Sequence, residues 1–192
     1  ACLVGSEMCI RDRIRGVERP PMAPLIPTAK GVSILVDSGA NVDSRPSFLV
    51  QWAKMGSIYM ENIMGIKNPK VAIVNVGLEE EKGNQLVKET YPLLKACKDI
   101  NFIGSIEARN IPNGDADVIV CDAFVGNVIL KLYEGTAKML LSKVKTTLMS
   151  SLKTKIGALL IKNSLSDTMK SFDAKQYLSL IHISEPTRHA QI

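Results

Sequence analysis

Short apolar runs alternate with stretches of helical spacing along most of this chain. Val32 to Val36 is nearly continuous in apolar residues and closes at Asp37, as a buried strand does. Phe48, Trp52, Met55, Tyr59 and Ile63 then recur three or four residues apart. That spacing predicts a helix from about residue 44 to Met64, with Ser44 as its cap, Pro46 in its first turn and Gly65 as its stop. Lys70 to Val76 predicts a second strand, followed by a helix from Gly83 to Cys97 that Pro92 interrupts or kinks. Asn101 to Ile103 and Asp117 to Cys121 read as two further short strands, and a last helix opens at Asn127 and continues past Leu141. Ahead of all these, Pro20, Pro21, Pro24 and Pro27 hold residues 19–29 extended and non-helical. Strands and helices in this alternation argue for βαβ units and a mostly parallel α/β sheet.

Three strand exits share a composition. Asp37 to Asn41, Asn75 to Glu79 continuing to Asn84, and Asp122 to Asn127 each carry Gly and Asn and each precede a helical stretch. In a parallel sheet such exits lie on one edge, so they would line one crevice suited to a phosphate-bearing ligand. Each turn also has a purely architectural explanation. Gly39 permits positive φ while Asp37 and Asn41 satisfy their own turn amides, Asn127 caps a helix, and Lys82 pairs with the acidic run beside it. Alternatively, Lys82 is the one mobile cation that reaches into the crevice.

Composition narrows the class. With 192 residues and 46% apolar content the chain can bury a sizeable core. No run approaches the roughly 20 apolar residues of a membrane-spanning helix; Ile156 to Ile161 is closed by Lys162. The first residues lack the order of a secretory signal, so export is not expected. Cys2, Cys9, Cys97 and Cys121 fit no CxxC metal spacing, which points to a reduced, cytosolic compartment.

Both ends differ from the middle. Residues 1–13 and 178–192 continue no periodic pattern and resemble translated sequencing-adapter DNA, so they are read as non-native tails. Both histidines, His182 and His189, fall in the second tail. The remaining stretch, 14–177, then has no local parts for Ser-His-Asp, Cys-His or His-metal chemistry. No turn matches the P-loop or the G-x-G-x-x-G dinucleotide fingerprint, but Asn side chains and helix N-terminal amides can still hold phosphate.

Residues 31–43, 75–84, 101–109 and 122–128, in this order, closely resemble the bacterial phosphate acyltransferases of phospholipid synthesis. The resemblance extends over about residues 14–177. It implies an enzyme that moves a fatty acyl group from acyl-[acyl carrier protein] to inorganic phosphate without a cofactor or metal. It also implies a three-layer α/β/α sandwich like that of the isocitrate and isopropylmalate dehydrogenases, in a homodimeric, cytoplasmic protein that touches the membrane peripherally. The family's N-terminal strand with its Asp-Ala-Met-Gly-Gly-Asp turn, a later Gly-Asn-Thr-Gly turn and a glycine-rich closing segment have no counterpart here. The stretch is therefore read as an internal, incomplete piece of that fold, lacking parts that build the same crevice. Alternatives on the same fold are a phosphotransacetylase or a β-decarboxylating dehydrogenase; the latter needs a metal-binding aspartate cluster, whereas Asp37, Asp43, Asp115, Asp117 and Asp122 are scattered.

The chemistry asks little of a protein base. Phosphate near neutral pH is already an oxyanion and a thiol of pKa about 8.5 leaves readily, so positioning outweighs proton transfer. Asn41, Lys82, Asn84 and Asn127 are the candidate catalytic groups, the amides as donors to phosphate or oxyanion and Lys82 balancing charge. Asp37, Gly39, Asn75, Gly77, Asp122 and Gly126 complete the substrate site. Among them Asp37 and Asp122 orient loops, because a carboxylate facing phosphate is repulsive. Asn75 braces its loop, and Gly39 and Gly126 allow close backbone approach.

Residues 131–175 form the second informative region. Nine lysines stand against Glu134, Asp167 and Asp173, a formal +6 within a chain of net +5. Leu141, Val144, Leu148, Leu152, Ile156 and Leu159 or Leu160 make an apolar stripe at helical spacing. Such a face packs on its own domain or a dimer mate, docks an acidic carrier protein, or meets an anionic membrane surface; the resemblance favours the membrane, with Leu148, Leu152, Ile156 and Leu160 in contact. Tyr133, Phe172 and Tyr177 are too few aromatics for a nucleic-acid platform, so no nucleic-acid partner is expected.

Overall fold

The computed structural model describes residues 16–162. Both stretches read as non-native tails lie outside the described residues, as do residues 163–177, Cys2, Cys9, Lys170, Lys175 and both histidines.

Five strands form one sheet in the order β1-β2-β5-β3-β4, where β1 is Leu25–Thr28, β2 Gly31–Val36, β3 Lys70–Val74, β4 Asn101–Ile106 and β5 Val118–Val120. The strands β2, β5, β3 and β4 run parallel, and only β1 is antiparallel, paired with β2. The proline-rich approach thus hides a strand. Pro27 pairs opposite Val32 on the outer edge, where a missing N–H costs no ladder bond. At the opposite edge, the register shifts between Val71 and Ala72, so Val71 faces Phe102, Ala72 faces Gly104, and Ile103 bulges out.

Both faces of the sheet are buried, which is why its strands read as apolar runs rather than alternating ones. Ile34, Val36, Val71, Ile73, Val118 and Val120 pack on one side beneath α1 (Pro46–Asn62) and α2 (Gln85–Ala96), with Phe48, Leu49, Trp52, Met60, Tyr91 and Leu94 filling the layer. Leu35, Ala72 and Ile119 point to the other side, toward Ile111, Ala116, Cys121 and Leu130. Leu130 belongs to α3 (Ala123–Leu148), so helices cover both faces. Trp52 has no exposed surface, and its Nε1 donates to the Arg19 carbonyl at 2.9 Å. Gly56 lets α1 lie close on β5, since a Cβ there would stand 2.7 Å from Val118 Cγ1.

Helix boundaries depart from the sequence expectation at four places. Ser44 is not the cap of α1. Arg45 occupies the N-cap without a side-chain bond, while Ser44 Oγ donates to the Asn41 carbonyl at 2.8 Å. Pro92 neither stops nor shortens α2, which continues to Ala96. Helix α3 opens at Ala123 under the Asp122 cap, four residues before Asn127. The lysine-rich stripe is not one helix: α3 ends at Leu148, and Ser151 with Thr154 forms a capping box that starts α4 (Leu152–Leu160).

Candidate active site

Because β2, β5 and β3 are parallel neighbours, the exits after Val36, Val120 and Val74 emerge on one edge of the sheet, over roughly 10 Å at ordinary strand spacing. The sequence-predicted corners therefore adjoin each other.

At the first corner the Asp37 carboxylate has no exposed surface and accepts five hydrogen bonds. The donors are the backbone N–H of Met22 (2.8 Å), Gly39 (3.2 Å), Ala40 (3.1 Å) and Asn41 (2.8 Å), and Asn41 Nδ2 (2.8 Å). A carboxylate offers about four lone-pair sites, so Asp37 is saturated by its own loop. Asn41 Nδ2 also donates to the Pro20 carbonyl at 2.9 Å. Both of its amide hydrogens are thereby committed, and Asn41 braces the corner instead of offering the donor expected of it. Gly39 sits at φ +148°, in the region that favours glycine.

The second corner closes on Asn75. Its Nδ2 donates to the Lys82 carbonyl and to Ser105 Oγ, both at 3.1 Å, and more distantly to the Glu79 carbonyl; its Oδ1 accepts from Val76 N–H at 2.8 Å. Lys82 Nζ lies 2.9 Å from the Glu79 carboxylate, on the surface. Their hydrogen bond holds the Lys82 ammonium above its ordinary pKa and the Glu79 carboxyl below its own. Lys82 is thus paired with the acidic run in this arrangement. The pair folds over Gly77, where a Cβ would meet Glu79 Oε2 and Lys82 Cδ at 2.7 Å each. Asn84 caps α2 by accepting from Val87 N–H at 2.9 Å, and its Nδ2 has no hydrogen-bond partner among the described residues.

At the third corner Asp122 caps α3, accepting from Val125 N–H at 3.0 Å. Its carboxylate thus occupies the end of the helix. Gly126 packs directly on the first corner: a Cβ there would lie 1.9 Å from the Asp37 carbonyl oxygen. Cys121 is buried between the two corners and its thiol donates to the same carbonyl at 3.5 Å. Burial, with Asp122 and Asp37 nearby, pushes that thiol well above its ordinary pKa, so it stays protonated. One turn further on, Asn127 is exposed, and its side chain has no hydrogen-bond partner among the described residues. Its Oδ1 comes 3.9 Å from the position a Cβ on Gly39 would take.

Corners one and three are therefore in contact, and corner two stands beside them on β3. The amides left to donate are those of Asn127 and Asn84. Three contributors escaped the sequence reading. Met22 and Ser38 join the extended approach to the first corner, and Ser105 on β4 holds Asn75. Ser38 and Ser105 lay within the stretches 31–43 and 101–109 that carry the resemblance, whereas Met22 lay outside all of them. Among the described residues no three His, Cys, Asp or Glu side chains are grouped to hold a metal ion.

Beyond the crevice, Leu152, Ile156 and Leu160 of α4 are exposed, whereas Leu148 is half-buried at the end of α3. Helix α4 has no buried residue among the described residues. None of the helices among the described residues is long and apolar enough to cross a membrane.

Comparison with known proteins sharpens the picture. A family described as fatty acid synthesis protein matches residues 1–181. A phosphate acyltransferase of Clostridium perfringens strain SM101 is 51% identical over 177 residues, 92% of this chain and 52% of that protein. The phosphate acyltransferase of Alkaliphilus oremlandii is 52% identical over 177 residues, with 91% and 52% covered. The chain thus spans about half the length of the curated relatives it matches. Among solved structures, the EutD phosphotransacetylase from Staphylococcus aureus superposes with a TM-score of 0.53 at 17% identity, covering 66% of this chain and 44% of that one, a likeness of fold.

Proposed function

Since the chain belongs to the fatty acid synthesis protein family, in which its relatives are named phosphate acyltransferases, we propose that it is the crevice-bearing part of an enzyme that transfers an acyl group to inorganic phosphate. The observation that carries this reading is the meeting of Asn- and Gly-rich strand exits on one edge, with the Asn127 and Asn84 amides uncommitted there. The donor is a fatty acyl thioester of an acyl carrier protein, and the acyl phosphate product feeds phospholipid synthesis.

The reaction is a displacement at the thioester carbonyl. A phosphate oxygen attacks the carbonyl carbon, the new C–O bond forms, the C–S bond breaks, and the proton of hydrogen phosphate passes to the departing thiolate. Asn127 and Asn84 donate to phosphate and to the developing oxyanion, where preorganised donors act most strongly. Lys82 supplies positive charge by leaving Glu79 when the anion arrives. Asp37, Asn41, Asn75 and Asp122 hold the corners, and Gly39, Gly77 and Gly126 make space for them. Because Asp37 and Asp122 fill two corners with their own negative charge, phosphate is held by the amide donors rather than by either carboxylate.

The same reading extends to the whole protein. It has the dehydrogenase-like sandwich fold, forms a homodimer in the cytoplasm, and rests α4 on an anionic membrane surface through Leu152, Ile156 and Leu160, among Lys153, Lys155 and Lys162. Phosphate-dependent release of carrier thiol by the intact protein tests the activity. Preference for a coenzyme A thioester over the carrier thioester would assign it to phosphotransacetylase chemistry instead, and NAD reduction would point to a dehydrogenase.

A further inference from the structure

The segment that leads into β1 is stitched to the crevice by backbone groups. Met22 N–H donates to the buried Asp37 carboxylate at 2.8 Å, and the Met22 carbonyl accepts from Ser38 N–H at 2.8 Å and Ser38 Oγ at 3.0 Å. One residue back from Pro21, the Pro20 carbonyl takes the Asn41 amide, and the Arg19 carbonyl takes Trp52 Nε1. These ties fix the backbone of residues 19–22 against loop 37–41 without using the Met22 side chain. That side chain stays 40% exposed, and its Cε stands 3.7 Å from the Cβ position of Gly39. Asn127 Oδ1 approaches the same point to 3.9 Å. An apolar methyl group and an uncommitted amide therefore flank Gly39 together.

Resting on the acyltransferase reading, we propose that Met22 is a specificity-determining residue that packs against the first methylenes of the acyl group while Asn127 faces its reacting, polar end. Methionine suits the role, since its flexible thioether fills irregular gaps beside an aliphatic chain. A thioester whose carbonyl sits at the amide gains by laying its first alkyl carbons on apolar surface, and the Met22 methyl is the apolar group beside Gly39.

The test is steady-state kinetics of the intact enzyme with phosphate and a palmitoyl carrier thioester, comparing wild type, Met22→Gln and Met22→Leu. Losing one apolar contact in a pocket is expected to raise the KM for the palmitoyl donor about fivefold or more in Met22→Gln. Met22→Leu should stay near wild type, and the KM for phosphate should stay within twofold in both. An acetyl thioester, which lacks methylenes, should not discriminate between them. Circular dichroism and thermal unfolding should coincide with wild type, because the ties to residues 19–22 are made by backbone atoms. An unchanged palmitoyl KM in Met22→Gln, or an equal rise in the phosphate KM, overturns the assignment. If wild type releases no thiol in response to phosphate, the parent reading fails first and this one with it.

Discussion

The α-carbon of Gly126 rests against the Asp37 carbonyl so closely that a methyl group there would stand 1.9 Å from the oxygen. Neither partner can yield cheaply. Asp37 is anchored by five hydrogen bonds to its carboxylate, its N–H donates to the Cys121 carbonyl, and Gly126 lies in the first turn of α3. Gly126→Ala should therefore push α3 off the end of β2 and destabilise the protein by at least about 3 kcal/mol, beyond the usual overpacking cost. Denaturant unfolding of the two proteins measures this, and a loss under about 1 kcal/mol would mean that the close approach relaxes freely.

Asn127 stands next to that contact without a hydrogen bond of its own, exposed on the second turn of α3. Asn127→Asp keeps the shape, removes the two amide hydrogens and adds a charge that repels phosphate. The phosphate KM of the intact enzyme should rise on the order of tenfold or more, corresponding to loss of one hydrogen bond to a charged group, with folding stability little changed. Unaltered phosphate saturation and turnover would remove Asn127 from the site.

How much of this could be read from the sequence depended on range. Strands β2, β3 and β5 were legible because both of their faces are buried, leaving short apolar runs. Strand β1 was hidden because Pro24 and Pro27 argue against a strand, and only its place on the sheet edge makes Pro27 acceptable. The start of α3 was misplaced because Asn127 resembles a cap as well as Asp122 does, and the deciding bond runs from Val125 N–H to Asp122. The break at Ser151 was available in the Ser151 and Thr154 spacing, but the apolar repeat runs across it. Saturation of Asp37 was legible in part, as a carboxylate satisfying its own turn amides from Gly39 to Asn41, but its fifth donor comes from Met22, fifteen residues upstream. Likewise the commitment of Asn41 to the Pro20 carbonyl depends on where a proline-rich segment happens to lie.

Cys121 gives a pH dependence with a defined sign. Its thiol is pushed up in the folded protein, by burial first and by Asp122 and Asp37 next, so the folded state holds the proton more tightly than the unfolded chain. The resulting stability is fully present below the unfolded thiol pKa of about 8.5 and declines as pH rises above it. Comparing wild type with Cys121→Ala between pH 7 and 10, the wild type should lose more stability across that interval. Parallel curves would show that the thiol is not held neutral by its surroundings.

Helix α4 exposes Leu152, Ile156, Leu159 and Leu160 at 80%, 60%, 72% and 82%, with Lys153, Lys155 and Lys162 exposed beside them. An apolar face ringed by lysines suits the interface of an anionic bilayer, where buried alkyl area and charge attraction add together. Each lysine near such a surface contributes about 1 kcal/mol and each inserted aliphatic side chain a comparable amount or more. Leu152→Glu with Ile156→Glu should reduce co-sedimentation of the intact protein with phosphatidylglycerol-containing vesicles at least tenfold, and raised salt should weaken the wild type. Thermal unfolding should be unaffected, because neither side chain is buried. Equal sedimentation of variant and wild type would assign this face to contact with protein, and a variant that unfolds would assign it to core packing within the complete enzyme.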